Sequence, residues 1–267
     1  MKIFETYFKK IGVKPKKLSV ELIEEIQQKH LETFTFNNIA VLLNKPLSLD
    51  INDIIDKIVT KNLGGYCFEH NKLIHDVLRY LGFDVRILIA RVLNNAKVES
   101  PRTHRITLLN FKGKEYLIDA GFGAMSPTKP IEIKNTSSNE QEHFIRKVKK
   151  DEYKLLMLKN KKDFTLYSFN LVDYCEADCV MGNFYSEYHP NAVFRNNFVV
   201  SKKRKKKTLS FRNNIYHKSY TNETDIIKIK DSKQLKNLFK NDFNIMLSSK
   251  EAKILFEKGE EFRVRSR

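Results

Sequence analysis

Cys67 lies in Asn62-Leu63-Gly64-Gly65-Tyr66-Cys67-Phe68-Glu69, directly after two glycines and at the opening of a segment with helical periodicity. The first turn of a helix carries unpaired N–H groups and the positive end of the backbone dipole. Both favour a thiolate, so the placement predicts a lowered pKa and a nucleophilic sulfur. The same N–H groups can stabilise an oxyanion. A lone cysteine is also a common small buried hydrophobe, and this segment alone leaves both readings open. Cys175 and Cys179 lie four apart with no suitably spaced His or Cys pair nearby, so core packing is expected there and no metal site.

A thiol nucleophile needs a base. His70 is one turn beyond Cys67, which leaves little room for a substrate between them. His104 sits in Thr103-His104-Arg105-Ile106-Thr107-Leu108, where strand alternation puts it on the apolar face with Ile106 and Leu108. A lone histidine on an apolar face is more often a satisfied core residue than a catalyst. Lys112-Gly113 reads as a two-residue hairpin turn, pairing Phe111 with Lys114. In that register Asp119 falls opposite Ile106 and diagonal to His104, within side-chain reach. An unpaired carboxylate on an apolar face is costly. A bond to His104 offsets that cost and sets the imidazole tautomer. A cysteine, a histidine and an aspartate are the parts of an activated-thiol triad. A purely structural His–Asp pair is the competing reading.

The elements that must position these groups follow a simple order. Leu18, Leu22, Ile26 and Leu31 form a helical stripe, with Ser19 as its N-cap. Further helices are expected over 51–59 and from the double glycine to Leu81, with Gly82 as a stop. The period then becomes strand-like over 85–92, 103–111, 115–120, 153–157 and 164–169, with a polar loop over 131–142. Strands over 197–200 and 208–216 flank a basic block, and short helices follow over 231–239 and 250–258. Helices first, strands next and a mixed tail make an α+β chain.

Composition bounds the rest. The chain has 267 residues, 41% of them hydrophobic, with 19 Phe, 11 Tyr and no Trp. That suits one compact unit or a few small subdomains and excludes wholesale disorder. Three cysteines exclude a disulfide framework and a four-cysteine zinc site. The net charge is +17, mostly from lysines spread along the chain, which reads as solvated surface. One block is denser: Lys202-Lys203-Arg204-Lys205-Lys206-Lys207. It reads as a solvated hairpin tip, or as an attractor for phosphates or another polyanion. The first ten residues carry charge where a signal peptide is apolar, and no apolar run approaches the ~20 residues that span a bilayer. A cytoplasmic, reducing location without membrane or nucleic-acid partners is expected.

Taken together, the three blocks resemble one family, the arylamine N-acetyltransferases. The segment from Leu63 to Asn71 is similar to its Arg-Gly-Gly-aromatic-Cys-x-Glu-x-Asn block. Thr103-His104 is similar to its His motif, and Asp119-Ala120-Gly121-Phe122-Gly123 to its Asp-Val-Gly-Phe-Gly block. The resemblance implies three parts: a helical bundle over 1–83 with the nucleophile, a β-barrel over 84–190 with His104 and Asp119, and an α/β lid over 191–267. The core would be cysteine-protease-like. It implies acetyl-CoA as co-substrate, no metal, and a ping-pong transfer through acetyl-Cys67 to an arylamine or hydrazine. Thr103, Gly121, Phe122 and Gly123 would line the cofactor arm, and Phe36, Phe122 and Phe194 the acceptor pocket. Three positions depart from the family pattern. Leu63 replaces an Arg, Asn37 replaces a Glu that would pair with it, and Ala192 replaces a Ser. Losing both charges together leaves neither buried alone. An amide synthase with another acyl donor, a Cys-His-Asp hydrolase or transglutaminase, and a polyanion binder using residues 202–207 are the alternatives.

Overall fold

The computed structural model describes residues 2–96, 99–135, 142–221 and 223–265. Five helical segments come first: Lys2–Ile11, Val20–Thr33, Ile39–Leu42, Ile51–Ile54 running on into a π-helical turn at Ile55–Thr60, and Cys67–Tyr80. Ser19 caps the second, its Oγ accepting the Leu22 N–H at 3.2 Å, as the periodicity implied. Ile23, Ile26, Ile54, Ile58, Leu73 and Val77 from these segments close one apolar core.

Seven strands follow in the order Ile131–Glu132, Lys114–Ile118, Arg102–Phe111, Asp84–Val92, Lys162–Phe169, Glu152–Lys159 and His143–Lys149, all antiparallel. Leu117 and Ile131 at one end share a core with Ile145 at the other, through Leu88, Ile106 and Leu155. Two ends of a sheet meet in one core when the sheet curls into a nearly closed barrel. Lys112 and Gly113 both adopt left-handed backbone, at φ 51° and 74°. That is the turn which matches strand twist, and the register runs Phe111↔Lys114 to Thr107↔Ile118 as expected. The expected loop over 131–142 begins instead as a short paired strand, and its residues 136–141 lie outside the described residues.

A second sheet has the order Phe36–Asn37, Val199–Arg204, Lys207–Arg212, Ile215–Ser219 and Thr224–Lys228. The strand expected over 208–216 is two strands. Asn213 and Asn214, both left-handed, fold it back on itself. Ser232–Leu238 and Ser249–Arg265 pack on this sheet around Phe198, Phe211, Phe239 and Phe243. The basic block is a hairpin with Lys205-Lys206 at its tip, but Lys202 is buried and Lys203 half-buried, so the solvated reading holds for Arg204, Lys205 and Lys206 and not for the base of the hairpin. Cys179 is buried as expected. Cys175 is exposed, because it is the N-cap of the helix Glu176–Tyr188 and not part of its apolar face. Among the described residues no helix is long and apolar enough to cross a membrane.

The first core contains a chain of neutral polar side chains. His70 Nε2 lies 3.3 Å from the Thr35 carbonyl, which only accepts, so that nitrogen carries the proton. His70 Nδ1 therefore accepts from His30 Nε2 at 2.8 Å, and His30 Nδ1 accepts from the Tyr7 hydroxyl at 3.1 Å. Burial pushes His30 well below the ordinary histidine range, and pushes His70 and His75 down to about 4. These histidines stay neutral in the folded chain while the unfolded chain protonates near pH 6.5. The unfolded state thus binds more protons between those values, and stability falls as pH drops through that window. Urea unfolding at pH 7 and pH 5 is expected to differ by about 2 kcal/mol per buried histidine. Equal midpoints at the two pH values would contradict the neutral assignment.

Candidate active site

Cys67 opens the helix Cys67–Tyr80 and is 2% exposed. Its Sγ donates to the Thr103 carbonyl at 3.6 Å. Burial, then the charge of Asp119, pushes the thiol up, and the N–H of Phe68 pulls it back only in part. The expected lowering is therefore not what the isolated thiol has. The helix N–H groups act in the expected direction, but more weakly than the desolvation of a sulfur enclosed by protein. A thiolate here needs a cation made at the same moment, and the imidazole of His104, next in the chain to the Thr103 carbonyl that the thiol touches, is the group that can supply one.

His104 and Asp119 meet as the hairpin register required, with Nε2 to Oδ2 at 2.8 Å. Asp119 bonds through Nε2, which leaves Nδ1 as the imidazole nitrogen able to take a proton. The carboxylate is fully buried and fully served. Asn71 Nδ2 donates to Oδ1 at 2.9 Å, the Gly121 N–H to Oδ1 at 2.8 Å, and the Tyr167 hydroxyl to Oδ2 at 3.0 Å. Burial pushes Asp119 up, but the His104 charge and these bonds outweigh it and hold the carboxyl below its usual value. His104 is also wedged between rings, its centroid 4.9 Å from Phe122 and 5.1 Å from Tyr167.

The remaining residues singled out in the sequence surround this group. A Cβ on Gly121 would come within 2.9 Å of Cys67 Cα and 2.6 Å of Asn71 Nδ2, so only glycine permits the approach. Gly123 faces Phe36, and Phe36 and Phe194 pair at 6.1 Å. Tyr66 meets Phe194 edge-on at 5.3 Å, making an aromatic group beside the nucleophile. Phe122 belongs to the histidine side. His70, one turn from Cys67, turns away into the Tyr7–His30 chain. Sequence reasoning missed Tyr167, which sits 48 residues from Asp119 with no local mark, and gave no role to Asn71 although it ends the nucleophile block.

A model of the N-acetyltransferase family matches residues 19–252. The chain belongs to that family. It is 33% identical to the arylamine N-acetyltransferase of Escherichia coli (strain K12) over 186 residues, 68% of this chain and 66% of that one, so the match spans about two thirds of the relative's length. Its fold superposes on the arylamine N-acetyltransferase of Salmonella typhimurium with a TM-score of 0.89 at 24% identity, covering 96% and 98% of the two chains. It superposes equally, at 0.89 and 22% identity, on the Mycobacterium marinum arylamine N-acetyltransferase solved in complex with CoA, again covering 96% and 98%.

As a member of this N-acetyltransferase family, the chain also accounts for its own departures. Asn37 Nδ2 donates to the Leu63 carbonyl at 2.9 Å, so these positions remain in contact through a neutral bond. Asn37 Oδ1 accepts the Ile39 N–H at 3.1 Å. No charge is stranded by the double replacement. Ala192 is the N-cap of the short helix Val193–Asn196 and makes no side-chain cap bond.

Asn71 is the piece most exposed to loss. Its amide also serves the Arg105 carbonyl and accepts the Ala120 N–H at 2.8 Å. Replacing Asn71 with Ala strands several buried groups and is expected to cost about 3 kcal/mol in urea unfolding at neutral pH. A loss under about 1 kcal/mol would mean the helix and the Asp119 loop are held otherwise.

Proposed function

We propose that this chain transfers the acetyl group of acetyl-CoA to the nitrogen of an arylamine or arylhydrazine, through an acetyl-Cys67 intermediate. The buried His104–Asp119 pair, whose flanking residues Thr103 and Gly121 both meet a cysteine at a helix N-terminus, carries the reading in a member of this family. The sulfur passes its proton to His104 Nδ1 as it attacks the thioester carbonyl. Thiolate and imidazolium arise together as a net-neutral pair, which offsets the burial that opposes a lone thiolate. The carbonyl oxygen gains charge beside the N–H groups of Cys67 and Phe68. The carbon–sulfur bond to CoA breaks, and His104 returns the proton to the departing CoA sulfur.

An amine nitrogen then attacks acetyl-Cys67. His104 takes its proton and Cys67 leaves as the new amide forms. Asp119 holds the ring in one tautomer throughout and stabilises its charged form. A thioester is already activated towards thiolate attack, so the chain's own residues suffice for both steps. Thr103, Gly121, Phe122 and Gly123 are assigned to the arm of CoA that reaches the sulfur. The rings of Phe36, Phe122 and Phe194 supply flat apolar walls for an aromatic amine. The reading places the enzyme in the cytoplasm.

Incubation with acetyl-CoA and no acceptor is expected to release CoA in a single burst and add the mass of one acetyl group, with neither in Cys67→Ala. In His104→Gln the rate of adduct formation is expected to fall about 10³-fold, the usual worth of a general base. A folded wild-type protein that shows no burst and no adduct would reject acetyl-CoA as the donor.

A further inference from the structure

Glu69 is the second residue past the nucleophile and only 1% exposed. One of its oxygens, Oε2, accepts the N–H of Tyr66 at 3.1 Å, which ties off the chain just before Cys67. The other, Oε1, meets Lys57 Nζ at 2.6 Å. Lys57 is the only ion-pair partner of Glu69 among the described residues. It sits in the π-helical turn Ile55–Thr60, and its carbonyl accepts the Leu63 N–H at 3.0 Å. One residue therefore grips both ends of the Leu63–Glu69 segment, by main chain at one end and by side chain at the other. Between those ends lie the double glycine, Tyr66 and Cys67.

The grip also carries a charge. After burial and the charge of Asp119, the negative charge of Glu69 adds to what disfavours ionisation of the Cys67 thiol. Titratable groups reach this helix end from several sides. Asp119 and His104 come from the barrel, Tyr66 precedes the sulfur, and His70 follows on the same helix with His30 behind it. His30 and His70 are held neutral by burial, and Asp119 adds a second negative charge near the sulfur. A cation paired with Glu69 offsets its share of the charge that opposes ionisation of the sulfur.

We propose that Lys57 is a positioning residue of the acetyl-transfer site, clamping the Leu63–Glu69 segment and cancelling the Glu69 charge beside the Cys67 sulfur. This rests on the proposed role of Cys67, yet it is testable without acetyl transfer. The resemblance places an arginine at position 63, where this chain has leucine. Here the cation of the nucleophile segment comes instead from six residues earlier in the chain, on the π-helical turn.

The test is the alkylation of Cys67 by iodoacetamide from pH 6 to 9, in Lys57→Met, Lys57→Arg, Glu69→Gln and the Lys57→Met/Glu69→Gln pair, each checked for folding by circular dichroism. Lys57→Met is expected to slow alkylation of Cys67 about tenfold at each pH in this range, the equivalent of about one unit in the thiol's pKa. Lys57→Arg keeps the wild-type rates. The double variant also keeps them, because no uncompensated charge is left. Glu69→Gln alone speeds alkylation, so the sign can be read even if Lys57→Met does not fold. A folded Lys57→Met with the wild-type rates overturns the proposal, as does a Glu69→Gln whose rates are unchanged or slower. If acetyl-CoA leaves no adduct while these rates change as stated, the acetyl-transfer reading fails and the Lys57 clamp stands.

Discussion

The carboxylate of Asp119 is out of contact with solvent and must be neutralised where it sits. Four donors converge on it: His104 and Tyr167 from two barrel strands, Asn71 from the nucleophile helix, and the N–H of Gly121 from its own loop. The three side-chain donors come from elements with their own hydrophobic core or their own sheet position. Satisfying one charge therefore fixes how the helices meet the barrel. Gln27 strengthens the same junction from the second helix, donating to the Asp119 and Pro127 carbonyls at 3.2 and 2.7 Å. The imidazole of His104 is aimed as a consequence of that packing.

Cys67 shows how such a site balances opposing terms. Helix-terminal N–H groups favour the thiolate, while burial and the charges of Asp119 and Glu69 oppose it. No single term leaves the sulfur reactive. The outcome depends on a proton moving to His104, which creates the compensating charge only when chemistry begins. The same economy explains the departures from the family pattern. At positions 37 and 63 an amide and a backbone carbonyl replace what would have been an ion pair, while a lysine from an unusual helical turn compensates Glu69. Contact is kept between positions 37 and 63, and Glu69 is paired.

The basic hairpin illustrates the limit of counting charges. Six consecutive cationic residues look like one solvated patch, yet Lys202 is buried where the strand Val199–Arg204 runs beside Phe36–Asn37. Burial first, then Arg204 and Lys10 nearby, brings its ammonium down to about 8. Lys202 and Lys203 line a small cavity with Phe36, His70 and Gly123, whereas Arg204, Lys205 and Lys206 face solvent. A run of like charge thus divides between two environments according to how far along the hairpin each residue lies from the packed base of the strand.

Local physics carried much of this into the sequence. The Ser19 cap, the helix start at Cys67 and the Lys112-Gly113 turn depend on neighbours within a few residues. The hairpin alone was enough to bring Asp119 to His104, because a two-residue turn sets the register of both strands. Thr208 to Tyr216 misread as one strand for the same kind of reason. The Asn213-Asn214 pair is a turn signal that strand propensity on either side obscured. The sulfur's proton balance, the Tyr167 and Asn71 bonds to Asp119, the Tyr7–His30–His70 chain and the Lys57–Glu69 pair were decided only by tertiary structure. Most of these bonds join residues on separate elements, and burial sets the strength of every charge among them, which no local pattern records.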